Sequence, residues 1–371
     1  EFRDYIYFQG TGSYTLQDDL NGNTVYFTYF NHESGTINTN NKDITFNGIF
    51  QSYGGSNNTS RTLNLGSSTI SFNSFYMYGG GLTLNSGTSV LNCTGVSSGF
   101  YIYNYGNSLS FHTINFTASS GVSTFYGSGF NDISNLSFSS GGNISGQNTI
   151  GTLNLSSNAT YELESGETQT ITNTLNAIGS CAGYINIKSS SAGSQATISK
   201  SSGSVNLQYC NLQDIDFTGG ATYTANNSND LGNNGGISIS APSGGSRTLY
   251  WVGGSGDWND LSHWSLSSGG SGGVCPPSAS DDVIFNINSF TSNNQLVNIN
   301  IPEANCRSMT WTGVSSLTPK IGSSSNQNKL NIYGSLTLDS SVDWQTTSTS
   351  AYRVHFLSSS NETITSAGNE F

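Results

Sequence analysis

Three of the five tryptophans, Trp251, Trp258 and Trp264, lie within fourteen positions of one another and are the side chains best suited to contact a ligand. Exposed indole rings form surfaces on which sugar rings stack. Indole rings also cover the open end of an apolar core while their N–H groups stay in contact with water. We expect this capping role, with a carbohydrate-stacking aromatic surface as the alternative.

Asp214 and Asp216 are the carboxylates whose spacing best suits acid–base chemistry. Two residues apart on one predicted strand, they share a face of the sheet. A β-solenoid hydrolase or lyase needs carboxylates grouped in this way. Neither residue has a Lys or Arg close to it in the sequence, so we expect a solvated polar face. No catalytic residue is predicted, and the chain is not predicted to be an enzyme.

Two further acidic pairs offer oxygen ligands for calcium. These are Asp281 with Asp282, and Asp257 with Asp260. Their spacing matches neither an EF-hand loop nor a nonapeptide calcium repeat, so a structural turn is the prediction. We therefore predict no metal site and no cofactor, and calcium stays open as a minor alternative.

The five cysteines, Cys93, Cys181, Cys210, Cys275 and Cys306, contain no C-x-x-C pair, which argues against a zinc ribbon. Pairing Cys181 with Cys210 and Cys275 with Cys306 would close two loops of about thirty residues, each worth roughly 3 to 4 kcal/mol in the chain-entropy model. Cys93 is predicted to be buried as a small apolar residue. Two disulfides would indicate an oxidising, extracellular setting.

The elements that carry these residues are predicted to be short strands. Residues 61–66 and 150–155 each alternate apolar with small polar side chains, and similar segments often recur about every twenty residues, the length of one solenoid coil. No sustained helical periodicity interrupts them, and weak helix formers dominate most windows. The pattern predicts an all-β chain folded as a right-handed parallel β-helix (β-solenoid). Tandem β-sandwich domains are the alternative.

A change in composition divides the chain. Residues 1–236 are predicted to form one β-solenoid module, 237–248 a linker rich in Ser and Gly, and 249–371 the start of a second module capped by the tryptophans. The dipeptide Glu1-Phe2 returns at Glu370-Phe371, which indicates either tandem repeats or a cloning scar.

Charge and hydropathy exclude two classes of partner. With 22 acidic against 10 basic residues the net charge is -12, so nucleic acid is not expected. No apolar run is long enough to cross a membrane, and no polybasic patch is present, so direct membrane insertion is not expected. The first residues contain no signal peptide, and the sequence is interpreted as an excerpt of a longer chain.

Several segments are similar to a known family. They are residues 250–265, Cys275-Pro276-Pro277 with 281–285, Cys306 with 309–313, residues 331–338, and shorter phrases at 187–198 and 214–221. At these positions the chain resembles the repeats of very large Bacteroidota surface proteins, including gliding-motility adhesins exported by the type IX secretion system. The resemblance covers most of the chain.

The resemblance implies a structural repeat of a secreted adhesin stalk, displayed as a filament at the cell surface for gliding or attachment. Its implied partners are neighbouring repeats of the same chain and surface polysaccharide. The resemblance transfers no ligand-binding residue. A carbohydrate-binding or carbohydrate-active β-helix protein is the alternative function.

Overall fold

The computed structural model describes residues 4–22, 27–54, 59–103, 108–127, 131–242, 246–314, 316–323, 325, 327–344 and 353–369. The matching dipeptides at the two ends and residues 243–245 of the predicted linker lie outside these ranges. The chain folds as two compact units. Unit 1 comprises Glu1–Ile178, Ile185–Ala225 and Asp230–Ile239, and unit 2 comprises Gly179–Tyr184, Asn226–Asn229 and Ser240–Phe371.

Unit 1 is built almost entirely from short strands. They are β1 (Asp4–Phe8), β2 (Ser13–Thr15), β3 (Leu20–Gly22), β4 (Phe27–His32), β5 (Gly35–Asn38), β6 (Ile44–Phe46), β7 (Ile49–Tyr53), β8 (Arg61–Asn64), β9 (Thr69–Phe72), β10 (Ser74–Tyr78), β11 (Leu82–Asn85), β12 (Val90–Cys93), β13 (Gly99–Tyr103), β14 (Ser110–Phe116), β15 (Val122–Gly127), β16 (Asn131–Phe138), β17 (Gly141–Ser145), β18 (Asn148–Leu155), β19 (Ala159–Leu163), β20 (Thr168–Ala177), β21 (Ile185–Ser189), β22 (Ala196–Ser199), β23 (Ser204–Gln208), β24 (Cys210–Gln213), β25 (Ile215–Thr218), β26 (Thr222–Asn226), β27 (Asn229–Asp230) and β28 (Ser238–Ile239).

Unit 2 continues with shorter strands and one 3-10 helix, η1 (Leu261–His263). The strands are β29 (Thr248–Trp251), β30 (Gly256–Asp257), β31 (Trp264–Ser265), β32 (Asp282–Phe285), β33 (Leu296–Asn298), β34 (Glu303–Cys306), β35 (Met309–Trp311), β36 (Lys320–Gly322), β37 (Lys329–Ile332), β38 (Leu336–Thr337), β39 (Arg353–Phe356) and β40 (Ile364–Thr365). None of the helical segments in the described ranges is long and apolar enough to cross a membrane.

Unit 1 contains three stacked sheets, A, B and C, and a small fourth sheet in the order β23-β26-β28. Sheet A has eleven strands in the order β1-β4-β7-β10-β13-β15-β17-β19-β21-β24-β27, sheet B has the order β11-β8-β5-β2, and sheet C has ten strands in the order β25-β22-β20-β18-β16-β14-β12-β9-β6-β3. Along the chain, successive strands alternate between sheets and return to each sheet one coil later, where they pair in parallel. This is a parallel β-solenoid, which confirms the predicted fold class, while the hand of the coil stays a prediction.

The core of unit 1 consists of columns of identical or similar apolar side chains. Phe50, Phe75, Phe100 and Phe125 occupy one inward position of sheet A in successive coils. Their ring centroids are 5.1, 4.4 and 5.8 Å apart. Because alternate residues of a strand point to opposite faces, the same pattern leaves the intervening residues of these strands on the outer face.

Corners between strands need unusual backbone conformations, and one glycine shows why. Gly87 has φ of 57°, and a Cβ there would collide with the carbonyl oxygen of Gly66 in the previous coil. Any side chain would push two coils apart, so glycine is required. Asn40 and Asn41, with φ of 55° and 61°, fill a similar corner, since Asn tolerates the left-handed region better than most residues.

Unit 2 repeats the same construction with three smaller sheets, in the orders β31-β29-β32-β35-β38-β40, β30-β33-β36 and β34-β37-β39. Leu249, Val283, Met309 and Leu336 form an in-register inward column and are fully buried. The pairing of β29 with β31 is antiparallel and lies at the edge of the largest sheet. Unit 2 is therefore a parallel solenoid with one strand folded back at its first coil.

The described residues contain one disulfide, and it joins Cys181 to Cys275, whose Cα atoms are 5.3 Å apart. The predicted pairings of Cys181 with Cys210 and of Cys275 with Cys306 are therefore wrong. Cys210 and Cys306 are buried thiols at inward strand positions, within separate apolar cores. Short loop length favoured the wrong pairs, but the direction of each strand face decides which sulfurs can meet.

Cys93 is buried within the core of unit 1, as the sequence predicts. It ends β12, where Cys93 pairs in register with Phe72 and Phe116. Burial raises the pKa of its thiol well above the usual value, because a thiolate there would lose its hydration. The residue is a small apolar part of the core and not a reactive nucleophile.

Candidate functional site

The three clustered tryptophans do not form a surface. Trp251, Trp258 and Trp264 are at most 1% exposed and belong to the core of unit 2. The Trp251 and Trp264 rings meet edge to face at 5.1 Å, and Trp258 meets Trp264 in the same way at 5.0 Å. The alternative of a carbohydrate-stacking surface at these residues is therefore wrong, since no ligand can reach the rings.

The indole N–H groups are also turned inward. Trp251 Nε1 donates to the carbonyl oxygen of Gly254 at 2.7 Å, and Trp264 Nε1 donates to that of Trp258 at 2.7 Å. We expected these indole N–H groups to contact water, and they instead donate to backbone carbonyl oxygens inside the protein. The cluster lies in the first coil of unit 2, beside the edge strand β31, so its rings fill the core at that edge.

The candidate catalytic carboxylates do not share a strand. Asp214 lies in the corner before β25 with φ of 57°, and only Asp216 belongs to the strand. The Asp214 carboxylate is buried and accepts hydrogen bonds from the Gly193 backbone N–H at 3.1 Å and from Asn233 Nδ2 at 2.7 Å. The predicted shared face is therefore wrong, because Asp214 fixes a corner.

The carboxylates considered for calcium have other partners. Asp281 accepts two hydrogen bonds from Arg247, from Nε at 2.9 Å and from Nη2 at 2.6 Å, and Asp282 forms an ion pair with Arg307. Asp257 accepts from an asparagine amide at 2.6 Å. Each of these oxygen atoms already stabilises a turn or a neighbouring coil. Within the described ranges, no three His, Cys, Asp or Glu side chains group as a metal site requires.

Asp260 accepts a hydrogen bond from the Ser262 backbone N–H at 2.8 Å and so caps helix η1. This bond lowers the pKa of its carboxyl group. The role agrees with the predicted structural turn. The hydrogen bond fixes the local direction of the chain, and we assign Asp260 no catalytic or ligand-binding role.

A different group of aromatic residues does reach the surface. The outward positions of sheet A in four successive coils carry half-buried or exposed tyrosines with no charged residue among them. We call this group the tyrosine face, and it comprises Tyr53, Tyr76, Tyr78, Tyr101, Tyr103 and Tyr126.

Four of these rings form a regular block. Tyr76 pairs with Tyr101 and Tyr78 with Tyr103 across adjacent coils, with ring centroids 4.9 Å apart in both pairs and interplanar angles of 18° and 1°. Rings lying side by side in one plane cannot approach so closely, so the pairs are stacked face to face. Along each strand the rings lie 5.7 and 6.1 Å apart with nearly parallel planes.

Two more tyrosines extend the block at its ends. Tyr126 lies 5.1 Å from Tyr103 with the planes tilted by 34°, and Tyr53 meets Tyr78 edge to face at 5.9 Å. Stacking covers the inner ring faces and leaves ring edges towards solvent. Burial and the neighbouring phenols raise the pKa of Tyr76 and Tyr78, which keeps both hydroxyl groups protonated.

A buried arginine fixes the backbone beneath this block. Arg61 is 1% exposed, and its guanidinium donates to the carbonyl oxygens of Tyr78 and Gly80 and to Ser52 Oγ, each at 2.8 Å. Burial lowers the pKa of Arg61 to about 10, so the group stays charged at neutral pH. Arg61 thereby holds the end of β10, the strand that carries Tyr76 and Tyr78.

His32 lies beside this arginine. It is fully buried, and it pairs in register with Ser52 on β7. Its Nε2 lies 3.2 Å from the carbonyl oxygen of Gly35, whereas its Nδ1 has no hydrogen-bond partner among the described residues. Burial, reinforced by the positive charge of Arg61 and opposed by the Gly35 bond, lowers the pKa of His32 to about 4. The imidazole is therefore neutral at physiological pH.

The tyrosine face was not among the features predicted from the sequence, although the sequence carries its signal. Residues 75–78 and 100–103 each alternate an inward residue with tyrosine, and the two segments are separated by 25 positions. A spacing equal to one coil places the tyrosines in adjacent rows of one sheet.

Comparison of the chain with protein-family models, with curated proteins and with solved structures gives no match. The fold and the tyrosine face define the chain as a parallel β-solenoid with a local aromatic surface.

Proposed function

We propose that this chain is a structural segment of a secreted adhesin stalk at the cell surface. The observation that carries the proposal is the eleven-strand in-register stacking of sheet A in unit 1. Each added coil lengthens such a stack along one direction at about 4.8 Å per coil. Eleven strands therefore span roughly 50 Å along the stacking direction, and this extension in one direction suits a spacer.

The outer faces support this proposal because they are built for stability in water. Asparagine side chains bond from coil to coil, as in the amide of Asn85, which donates to Asn64 Oδ1 at 2.6 Å, and that of Asn176, which donates to Asn154 Oδ1 at 2.7 Å. These ladders repeat the backbone pairing at the side-chain level. They stiffen the stack without adding charge.

Two further observations favour a position outside the cell. The disulfide between Cys181 and Cys275 forms readily in an oxidising compartment. The resemblance to gliding-motility adhesins exported by type IX secretion points to the same location, and a stalk built from neighbouring repeats would carry the segment away from the membrane.

Antibody labelling of intact cells tests this proposal. Antibodies against the segment should label unpermeabilised cells as strongly as permeabilised ones, and mild protease treatment of intact cells should remove the signal. A cytoplasmic marker protein serves as the control and should be labelled only after permeabilisation. Labelling of the segment only after permeabilisation would contradict a surface adhesin.

A further inference from the structure

The tyrosine face is the part of unit 1 that a purely structural shaft does not explain. In the next coil of the same sheet Tyr126 pairs with Ser145, which ends that tyrosine column. The neighbouring outward column passes through Thr124 and continues with Asn143, Glu162 and Lys188 in register. Glu162 and Lys188 form an ion pair at 3.3 Å there, which is an ordinary solvated surface. The aromatic rows are therefore local, and the solenoid continues without them.

The spacing of the rings indicates the form of the ligand. Tyr76 and Tyr101, like Tyr78 and Tyr103, repeat at 4.9 Å along the direction in which coils stack. A ligand that covers the whole face meets the same chemical group at every step. A linear polymer matches this repetition, whereas the surface of a globular protein is not periodic.

The chemistry of the face indicates the class of polymer. Each tyrosine presents a ring edge together with a hydroxyl group that both donates and accepts hydrogen bonds. Sugar rings carry the same combination of C–H surface and hydroxyl groups. Tyrosine also makes contacts at a low entropic cost, because only two side-chain torsions are fixed on binding.

The charge around the tyrosine face indicates whether the polysaccharide is neutral or anionic. The neighbouring outward residues are Gln51, Ser74 and Thr124, all uncharged, and the whole chain has a net charge of -12. An anionic polysaccharide would gain no ion pair at the face and would be repelled by the chain. A neutral polymer avoids this repulsion.

We infer that the tyrosine face binds a linear neutral polysaccharide that lies along the stacking direction of the coils. The inference deepens the proposed function and rests on it, because it gives the stalk an adhesive surface along its side. Tyr76, Tyr78, Tyr101 and Tyr103 form the centre of the site, and Tyr126 extends it at one end.

Affinity gel electrophoresis of the complete chain tests this inference with three probes. Hydroxyethylcellulose and dextran are neutral polymers with different linkages, and alginate is anionic. We expect at least one neutral polymer to retard the protein and alginate not to do so. Retardation by neither neutral polymer, or by alginate alone, overturns the inference.

Substitutions locate the binding site. Replacing Tyr76, Tyr78, Tyr101 and Tyr103 together by Ser should weaken binding about tenfold or more, because the centre of the contact is removed. The corresponding four Tyr→Phe changes keep the rings stacked and remove only hydroxyl groups, so affinity should fall about threefold or more while the fold is retained. Unchanged affinity in both variants overturns the inference.

Tyr14→Ser is the matched control. Tyr14 is 42% exposed and lies on β2 of sheet B, away from the tyrosine face. Its replacement should leave the affinity within about twofold of the original. If the fourfold Ser variant loses its β-sheet circular dichroism, the Phe variant decides the question.

The outcomes separate the inference from the proposed function. Surface labelling without glycan binding rejects the polysaccharide site and leaves the stalk. Glycan binding by a protein that antibodies find only inside cells supports the site and rejects the stalk. Pull-down of a protein partner that Tyr→Phe changes release, with no retardation by the neutral polymers, overturns the inference in favour of a protein ligand.

Discussion

The buried imidazole of His32 should make unit 1 less stable in mild acid. Its pKa is lowered to about 4 from an ordinary value of 6.5, chiefly by burial. Between these two pH values the unfolded chain binds a proton that the folded chain refuses, so the free energy of unfolding falls as the pH falls from 6.5 to 4. At 1.36 kcal/mol per pH unit, the full effect is about 3 kcal/mol.

Urea unfolding of the wild-type chain and of His32→Gln at pH 7.0 and pH 4.5 measures this effect. When the pH falls from 7.0 to 4.5, His32 should lower the free energy of unfolding of the wild-type chain by about 2.5 kcal/mol, and the His32→Gln variant should not show this contribution. Glutamine keeps an N–H group that can donate to the carbonyl oxygen of Gly35 and has no titrating group. Comparing the pH dependence of two proteins removes the contribution of the carboxylates they share.

His112→Gln is the control for this experiment, because His112 is half-exposed on β14. Its replacement should leave the wild-type pH dependence in place. An NMR titration gives an independent check, and the imidazole signals of His32 should not shift above pH 5. If His32→Gln and wild type lose the same stability between pH 7.0 and 4.5, the reasoning from burial is refuted.

Three further changes test other parts of the structure. Cys181→Ser should lower the free energy of unfolding of unit 2 by up to about 4.7 kcal/mol in the chain-entropy model, because the disulfide closes a separation of 94 residues. Urea unfolding measures this loss, and the wild-type protein in reductant should match the variant. An unchanged unfolding midpoint would contradict this role of the disulfide. Asp281→Asn should cost about 3 to 5 kcal/mol by leaving the partly buried Arg247 without the buried carboxylate that it pairs with, while Asp257→Asn should cost less than about 1 kcal/mol. The Asp281 pKa is lowered through the hydrogen bonds from Arg247 and Ser278 despite burial, so this contribution should be present above about pH 4 and lost below it. Cys93, Cys210 and Cys306 should react with a thiol reagent only after denaturation, since burial raises the pKa of each; rapid modification of the native chain would contradict their burial.

The fold could be predicted because a solenoid is encoded locally. Each coil repeats the alternation seen at residues 61–65, so the inward position of Leu63 follows from sequence alone. Arg61 has the same phase and is also inward, but its partners are carbonyl oxygens from the corner after β10. No local pattern shows which corner will meet a buried guanidinium.

The functional residues were harder to predict because they depend on contacts between coils. The predicted cysteine pairing is wrong because sequence separation does not show that Cys210 and Cys306 lie at buried strand positions, while Cys181 and Cys275 lie in segments between strands. Trp251, Trp258 and Trp264 were expected to cap an apolar core with their N–H groups in water, or to form an exposed surface, yet they are buried within a core. Tyr76 and Tyr101 become a surface only when the coil length sets their register.

Electron microscopy of the native protein, with gold-labelled antibody marking this segment, tests the central claim most directly. A stalk predicts that the antibody marks a thread of uniform width, lengthened by neighbouring repeats, and that aligned threads diffract at about 4.8 Å along their length. A gold-labelled compact globule, with no thread and no such axial spacing, would contradict the account.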